Sequence, residues 1–531
     1  MPIARAYGYF LRIPRNTAIF LVNSHNGPTR RDSLLVPKPP SKLRELMNTN
    51  HINLQAVAKQ VMLQYGFEPD FPAAALQQMA QLKANPPHIA AGGGIRDLRD
   101  LLWSSIDNDT SRDLDQIEFA ERLPNGDVKV MIGIADVDAY VAKNTPIDQY
   151  AAKETTTVYT GVRNFSMLPE ELSTGITSLL EGADELSMVT EYVVTKDGQV
   201  TSSDIYRALV CNKAQLTYNA VGAWLEDRGD APPKVAASPE LQAQLKLQDQ
   251  VAQALRDQRY RQGALNIDTE EVRPVVLNEQ VVDVVRQEKN HATELIEDFM
   301  IAANGVVARK LEAVSSLRRI VRTPERWDRI VQLAATLGGH LPSQPDSKAL
   351  NDFLQVRKAA DPDHFADLSL AVIKLMGPGE YVLERPGEAD TGHFGLAVQD
   401  YTHSTAPNRR FADLVTQRIL KALLANQPPA YSDSELETIA ANCTQKGNAS
   451  RKVERAMTKR LSAIAMSNRI GQVFDSIVTG VNEHGTFVRV LKPRVEGMLI
   501  RGQQGVDVGD KLRVKLVRTD VSQGYIDFEP A

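Results

Sequence analysis

The spacing of apolar residues changes along this chain, and the change limits the folds that it can adopt. In "KLRVKLVRTD", Leu512 and Val514 alternate with basic residues, which is the two-residue period of a half-buried strand. Further upstream, Arg451, Arg455 and Lys459 recur every four residues and therefore line one face of a helix. Because a single core rarely grows beyond about 250–300 residues, a chain of 531 residues with both periods predicts two or three domains.

The N-terminal part of the chain predicts a pair of helices. Residues 54–82 contain two apolar helical patterns that the breaker "GFEPDFP" separates. The first forty residues end in "LLVPKPPSK", whose prolines favour an extended linker, and their fold stays unassigned. Strands then mix with long helices, as in "GDVKVMIGIADVDAYV", which predicts a strand after a turn. The expected fold class is therefore α+β.

Composition excludes several classes of function. With 43% apolar and 24% charged residues, and without the apolar run of ~18 residues that a membrane span needs, we expect a globular protein with no membrane role. The two cysteines show no metal-ligand spacing, and the N-terminus does not resemble a secretory signal, so we expect a reducing, cytoplasmic location. A net charge of −5 gives no overall attraction to nucleic acid, so any such binding depends on local basic patches.

The densest chemical signal is the acidic stretch "SSIDNDTSRDLDQIEF". It places Asp107, Asp109, Asp113 and Asp115 close together and continues with Gln116. Carboxylates at this spacing repel one another and raise some of their pKa values unless a cation neutralises them. Oxygen ligands of this kind suit Mg²⁺ or Mn²⁺, and a pair of such ions can stabilise both the attacking and the leaving oxygen of a phosphodiester. The acidic stretch therefore favours metal-assisted phosphodiester hydrolysis.

Two other interpretations of the acidic stretch stay open at this point. Asp107, Asp109 and Ser111 occupy the first, third and fifth positions of a calcium-binding EF-hand loop, with Glu118 at the twelfth. Arg112, however, stands where that loop needs glycine, and the following residues predict turn and strand instead of a helix. The second interpretation is an acidic surface turn, which is the usual role of a short Asp-rich stretch.

Several blocks in a fixed order carry a resemblance to a known family. They are "SIDNDTSRDLDQ" with "IGIADVDAYV", then "VYTGVRNFSMLPEELS", "AQLTYNAVGAWLE", "LIEDFMIAANGVVARKL" and "HFGLAVQDYTHSTAPNRRFADLVTQRILKALL". Together they resemble the RNB family, the ribonuclease II and ribonuclease R type of exoribonuclease, and "STAPNRR" resembles its shorter bacterial branch. The segments "GTFVRV" and "EGMLI" resemble the OB-fold that often closes chains of this family.

The resemblance implies three regions and a reaction. We expect residues 1–95 to form a partly helical region of unassigned fold and residues 96–465 an RNB catalytic domain of mixed sheets and long helices. Residues 466–531 are expected to form an RNA-binding OB-fold barrel of the ribosomal-protein S-one type. The family removes 5′-nucleoside monophosphates processively from the 3′ end of RNA, with Mg²⁺ and with water as the nucleophile. We therefore expect a monomeric 3′-to-5′ exoribonuclease that acts on single-stranded RNA with Mg²⁺ or Mn²⁺.

The resemblance also assigns roles to individual residues. Asp107, Asp113 and Asp115 match three of the four aspartates that organise the metals of the family, and Gln116 matches the fourth. Arg409 matches the arginine at the scissile phosphate, where a planar bidentate donor neutralises charge in the transition state. The expected RNA contacts come from Tyr159, Tyr218, Glu297, Arg410 and Phe487.

Each of these RNA-contact positions has a structural alternative. The two tyrosines could be ordinary semi-buried residues, and the glutamate could be a solvated residue on a helix. Either arginine of "NRR" could pair with Asp413, on the helix that Pro407 is expected to open. In the barrel, Phe474, Phe487 and His484 are candidate stacking residues, although the core is the favoured place for Phe474.

Gln116 leaves two functions open. An amide offers a metal ion a carbonyl oxygen without negative charge, and it cannot take a proton from water. Either the remaining aspartates hold enough metal, with Asp109 or Glu118 replacing the missing charge, or catalysis is lost and the chain is an RNA 3′-end binding protein. We expect activity, because a chain without catalysis has no chemical reason to keep an acid cluster whose members repel one another.

Overall fold

The structure is a computed structural model. It describes residues 53–87, 90–268, 271–277, 280–287, 289–362, 364–388, 392–482 and 485–531. Residues 1–52 and His484, with its predicted stacking role, lie outside these ranges. Within the described ranges the fold is α+β, as predicted.

The strands belong to a mixed sheet, a closed barrel and two-stranded pairs. In chain order they are β1 Ile95–Asp97, β2 Trp103–Asp107, β3 Gln116–Arg122, β4 Val128–Ala135, β5 Val158–Tyr159, β6 Asn164–Phe165, β7 Asp184–Val194, β8 Val200–Thr217, β9 Glu271–Leu277, β10 Gln280–Gln287, β11 Ser316–Ile320, β12 Glu380–Glu384, β13 Val473–Asn482, β14 Gly485–Val490, β15 Val495–Leu499, β16 Lys511–Asp520 and β17 Tyr525–Pro530.

Some of the helices pack on the mixed sheet, and the last and longest one contributes to the core of the barrel. In chain order they are α1 Leu54–Gln64, α2 Ala73–Ala84, α3 Pro146–Glu154, α4 Tyr218–Leu225, α5 Pro233–Ala236, α6 Pro239–Arg261, α7 His291–Lys310, α8 Trp327–Thr336, α9 Ser347–Ala360, α10 Phe365–Met376, α11 Phe411–Leu424 and α12 Asp433–Ser467. Among the helices of the described ranges, none combines the length and the apolar character that a membrane crossing requires.

The mixed sheet presents the acidic stretch at the junction of two central strands. Its strand order is β1-β8-β2-β3-β4-β7, and β7 also pairs with β8. Strand β8 runs parallel to β1 and β2, whereas β2, β3 and β4 are antiparallel. Because β2 ends at Asp107 and β3 begins at Gln116, the carboxylates between them lie on one connection. The strand predicted in "GDVKVMIGIADVDAYV" is β4.

The predicted helical pair is present as α1 and α2, with the breaker between them. The side chain of Asn53 caps α1 by accepting a hydrogen bond from the Ala56 N–H at 2.9 Å. Val57 belongs to the same buried apolar cluster as Val453 and Met457 of α12. Helix α1 therefore packs on the long C-terminal helix, whereas Ala75 and Met79 of α2 belong to the core cluster of the mixed sheet.

Helix α12 is 35 residues long, which corresponds to about 50 Å. It begins with a capping box, in which Ser432 and Glu435 each accept a hydrogen bond from the backbone N–H of the other. Arg451, Arg455 and Lys459 are all exposed. The prediction of a basic helical face is therefore confirmed.

The C-terminal strands close into a barrel in the order β13-β14-β15-β17-β16. Val514 and Leu516 are buried, whereas the basic residues that alternate with them are exposed, so the predicted strand period is confirmed. Met466 of α12 belongs to the same apolar cluster as these two residues, and Phe474 packs against it. The last turns of α12 are thus part of the barrel core.

Candidate functional site

The acidic stretch folds back toward the sheet because its middle is anchored in the core. Leu114 is fully buried, and its N–H donates a hydrogen bond to the Ser178 hydroxyl at 2.9 Å. Asp113 and Asp115 flank this anchor. One apolar side chain therefore fixes how two of the predicted metal ligands are presented.

Asp115 is fully buried and joins the acidic stretch to the "NRR" segment. One of its carboxylate oxygens accepts a hydrogen bond from the Asn408 N–H at 2.9 Å, and the other lies 3.1 Å from Nε of Arg409. The contact with Arg409 is an ion pair without hydrogen-bond alignment, so the second oxygen receives no hydrogen bond from the described residues. Burial raises the pKa of Asp115 to about 7, although the charge of Arg409 lowers it.

Asp107 lies at the end of β2, where it pairs with Thr217 of β8, the residue directly before Tyr218 at the start of α4. Burial raises the pKa of Asp107, while hydrogen bonds from the Ser111 side chain and from the Asn108 N–H, at 2.7 Å, lower it. Burial also raises the pKa of Tyr218, and the charges of Asp107 and Glu118 raise it further. The predicted RNA contact Tyr218 is therefore a half-buried ring beside a predicted metal ligand.

Tyr159 places a partly exposed ring beside the acidic stretch. Its hydroxyl donates to a carboxylate oxygen of Asp113 at 3.3 Å, and the residue is 38% exposed. The N–H of Thr157 donates to the Arg409 carbonyl at 2.9 Å, which holds the segment of Tyr159 against the "NRR" segment. A ring with this exposure can stack on a base.

Gln116 and Glu118 lie on a strand, which excludes the calcium-loop interpretation. Gln116 pairs with Ile134 of β4, and Glu118 pairs with Ser104 of β2. An EF-hand needs a helix and a metal-binding glutamate at this point, whereas Glu118 is buried within the sheet. The surface-turn interpretation is also wrong, because Asp115 and Gln116 are both buried.

Glu118 is a buried carboxylate whose two oxygens find no hydrogen-bond partner among the described residues. Burial raises its pKa well above the ordinary value, and the charge of Asp107 raises it further. Burial therefore works against the charged form of this side chain.

We expect Glu118→Gln to stabilise the metal-free protein, and more so as the pH rises. Because burial raises the pKa of Glu118 in the folded state, its destabilising effect is absent below the unfolded pKa of about 4.3 and then grows by about 1.4 kcal/mol per pH unit until the folded pKa is reached. The free energy of unfolding, measured in urea with chelator, should match that of the unmodified protein at low pH and exceed it at pH 8. Glu121→Gln, on the half-exposed end of the same strand, is the control; equal gains in both variants would contradict the expectation.

Three of the predicted RNA contacts lie outside this cluster. Arg410 donates two hydrogen bonds to Asp413, at 2.7 and 2.9 Å. The pairing with Asp413 that either arginine of "NRR" could make is therefore made by Arg410. Glu297 forms an ion pair with Lys289 at 2.8 Å. Phe487 alternates with buried neighbours along β14 and is partly exposed on the barrel. Their predicted roles stay predictions.

Sequence reasoning missed Asn408. Its N–H binds Asp115, and its side-chain oxygen accepts a hydrogen bond from the Thr177 hydroxyl at 2.5 Å. The residue is buried although it is polar. The signal in the sequence was an amide residue directly before the two arginines of "NRR". Such a side chain, once buried, needs specific hydrogen-bond partners.

The donors of the acidic stretch fit a hard divalent cation in their chemistry. Asp107, Asp113 and Asp115 offer carboxylate oxygens of the kind that Mg²⁺ prefers, and one oxygen of Asp115 is buried without a hydrogen bond. The described residues nevertheless contain no group of three His, Cys, Asp or Glu side chains already close enough to hold a metal ion. Arg409 instead provides the positive charge next to Asp115.

Comparison with known proteins covers most of the chain. The family model described as RNB domain matches residues 95–426, and the model described as RNase II-type exonuclease C-terminal S1 domain matches residues 472–531. Ribonuclease R of Thermotoga maritima is 31% identical over 470 residues, which are 82% of this chain and 64% of that protein. The chain spans less than two thirds of the length of this and other curated relatives.

Solved structures show the same fold at lower identity. Mycoplasma genitalium RNase R in complex with ribose methylated single-stranded RNA superposes with a TM-score of 0.79 at 22% identity, over 90% of this chain and 78% of that one. The yeast pseudonuclease Ssd1 superposes with a TM-score of 0.65 at 16% identity, over 87% of this chain and 58% of that one. The fold is thus found both in a ribonuclease and in a pseudonuclease. The RNB-domain model matches more than half of the residues of this chain, so the chain belongs to the RNB family.

Proposed function

We propose that the chain is a 3′-to-5′ exoribonuclease that hydrolyses single-stranded RNA processively to 5′-nucleoside monophosphates. The observation that carries the proposal is the junction at Asp115, where the acidic stretch meets Asn408 and Arg409. The hydrogen bond between Asp115 and Asn408 joins residues 293 positions apart. It places an arginine, which suits a phosphate, beside carboxylates, which suit a metal ion. A relative named ribonuclease R, and an RNase R of the same fold bound to single-stranded RNA, support the proposal.

The proposed cofactor is Mg²⁺, with Mn²⁺ as a substitute, held by Asp107, Asp113 and Asp115. When bound, such an ion lowers the pKa of a coordinated water and neutralises charge on the phosphate. Gln116, at the start of β3, would offer its carbonyl oxygen without charge.

The residues of the chain bind and orient the RNA. Arg409 is 44% exposed, so its guanidinium is open to a phosphate oxygen and can stabilise the charge that develops there. Tyr159 supports the terminal nucleotide by stacking, and the half-buried Tyr218 borders its path. Glu297 and Arg410 hold neighbouring groups of the strand in this proposal, and Phe487 offers a stacking surface on the barrel.

A time course with single-stranded RNA tests the proposal. The substrate carries a 5′ label and is incubated with Mg²⁺, with Mn²⁺ or with EDTA, and products are resolved on a sequencing gel. We expect a ladder that shortens from the 3′ end to a short limit product only when metal is present. A circular RNA of the same sequence is the matched control, because it has no 3′ end; its cleavage would contradict an exonuclease.

A second candidate function is an RNA 3′-end binding protein without turnover. Two observations favour it, namely the uncharged Gln116 and the lack of a preassembled three-ligand metal group among the described residues. Yeast Ssd1, which is described as a pseudonuclease, has the same fold. In the same time course, this function predicts intact linear RNA that still shifts in a native gel.

The exposed basic face of α12 is expected to carry backbone phosphates toward the site. Replacing Arg451, Arg455 and Lys459 by glutamine should reduce the slope of log affinity against log salt by about 2, since each contact with a single strand contributes about 0.7. Fluorescence anisotropy with labelled RNA in EDTA, over a series of salt concentrations, measures the slope. Lys348→Gln removes an exposed cation from α9 as the control; an unchanged slope in the triple variant would show that the face is merely solvated.

Location and oligomeric state are part of the proposal. Cys211 and Cys443 are buried and unpaired, which suits a reducing compartment. We therefore infer a cytoplasmic protein, and a monomer that binds single-stranded RNA by itself. Light scattering of the purified chain, with and without RNA, measures its mass directly.

A further inference from the structure

A cavity of about 310 Å³ lies next to Arg409 and Tyr159. Its other walls come from α12, from the pair β11–β12 and from the segment Thr155–Thr157. None of the predicted metal ligands lines it. The cavity is therefore a neighbour of the acidic centre and not part of it.

The lining of the cavity is strongly cationic. Arg319, Arg409, Arg410 and Arg451 all face it, whereas Glu454 is the one carboxylate among its lining residues. Two of these arginines already have carboxylate partners, because Arg409 pairs with Asp115 and Arg410 with Asp413. The described parts of the chain provide no such partner for Arg319 or Arg451.

Arg319 is a partly buried cation that has no carboxylate partner among the described residues. Its guanidinium lies 4.8 Å from the centre of the Tyr381 ring. Burial lowers the pKa of Arg319, and the charges of Arg451 and Arg410 lower it further. A partly buried guanidinium surrounded by other cations is unfavourable unless an anion enters.

The walls of the cavity leave room for such an anion. A side chain at Gly379 would place its Cβ 2.6 Å from a terminal nitrogen of Arg319, so a larger residue there would displace the guanidinium from this wall. At Gly447 on α12, an added Cβ would meet nothing within 4 Å, which leaves that helix face open to the cavity. Thr444 and Ser450 add hydroxyl groups beside these arginines.

His403 adds no further positive charge to the cavity. Burial, together with the neighbouring arginines, holds its pKa well below the ordinary value. Nδ1 of the ring lies 2.7 Å from the Tyr381 hydroxyl, which can donate to it. The arginines alone therefore set the anion preference.

We propose that this cavity is a second phosphate site, in which Arg319 and Arg451 bind a phosphate group close to the one that Arg409 contacts. The source of that phosphate rests on the proposed function. The phosphate is either the linkage next to the scissile one in the RNA strand or the 5′-phosphate of the released nucleoside monophosphate. Both sources present at least two non-bridging phosphate oxygens, which a guanidinium can bind through two parallel hydrogen bonds.

Binding measured without metal tests the site independently of catalysis. The probes are AMP and a short single-stranded RNA with a free 3′ hydroxyl, each titrated calorimetrically into the full chain in EDTA. Arg319→Gln and Arg451→Gln should each weaken at least one probe by about tenfold, the loss expected for a charge-assisted contact. Lys452→Gln, which removes an exposed cation from the next position of the same helix, should leave both affinities unchanged.

The pattern of losses identifies the source of the phosphate. Weaker AMP binding in both variants indicates the released nucleotide, whereas a loss confined to the RNA that includes Arg319→Gln indicates the strand. Wild-type affinity of both variants for both probes overturns the site, and so does a loss of RNA affinity in Arg451→Gln alone, because the basic face of α12 explains that loss. If Arg319→Gln fails to fold, Arg319→Lys replaces it, since lysine keeps the charge but lacks the planar fork. Failure of the gel assay would remove the nuclease proposal without affecting this result.

Discussion

Replacing Asp115 with asparagine is expected to reduce the rate of RNA hydrolysis by roughly 10³-fold, the order of loss when one preorganised electrostatic group is removed from an active site. The substitution keeps the shape of the side chain and an oxygen for the Asn408 N–H. It removes the negative charge that faces Arg409 and that would hold the cation. The affinity for single-stranded RNA in chelator should change by less than about threefold, because no phosphate contact is lost.

The measurement is a single-turnover time course with saturating protein and 5′-labelled RNA, together with anisotropy in EDTA. Asp352→Asn is the matched control, since it removes an exposed carboxylate from α9, outside the acidic stretch. If both variants lose activity equally, the loss is not specific to Asp115. If Asp115→Asn hydrolyses RNA at the unmodified rate, the proposed metal site is wrong.

Replacing Arg409 with glutamine is expected to lower kcat by about 10²–10³-fold, as for loss of a donor to a developing oxyanion. A second effect follows from its contact with Asp115. The charge of Arg409 opposes the rise that burial causes in the pKa of Asp115, which is about 7. Without the arginine that pKa rises further, so Asp115 becomes ionised only at higher pH. The acidic limb of the pH–rate profile should therefore move to higher pH.

Arg409→Lys separates the two effects. Lysine keeps the positive charge near Asp115 but lacks the planar fork that binds a phosphate through two donors. Its pH–rate profile should return toward that of the unmodified protein, while kcat recovers only in part. Identical pH–rate profiles for Arg409→Gln and the unmodified protein would show that the ion pair does not tune Asp115.

Sequence patterns predicted those parts of the fold that depend on neighbouring residues. The alternation around Val514 and the four-residue spacing of Arg451 and Arg455 each reflect the period of one element. A strand or helix repeats its exposed side at a fixed interval, so local sequence is sufficient to orient it. The acidic stretch could likewise be recognised because its members are adjacent.

Long-range contacts could not be predicted in the same way. No local pattern connects Asn408 with Asp115, because their contact depends on how the sheet and the segment before α11 meet. Glu118 illustrates a second limit. Both faces of β3 are buried over its first five residues, and a strand buried on both faces shows no alternation that would reveal the position of a polar residue. Arg319 gave no signal either, since its surroundings come from separate elements.

Helix α12 has a consequence for the cooperativity of unfolding. Val453 and Met457 belong to the apolar cluster of α1, and Ala463 and Met466 to that of the barrel. Fewer than two helical turns separate these attachments, so the helix cannot fray between them without exposing one of the two cores. The barrel, α1 and the arginine wall of the cavity are therefore thermodynamically linked through one element, and the local stability of each depends on whether its neighbours are folded.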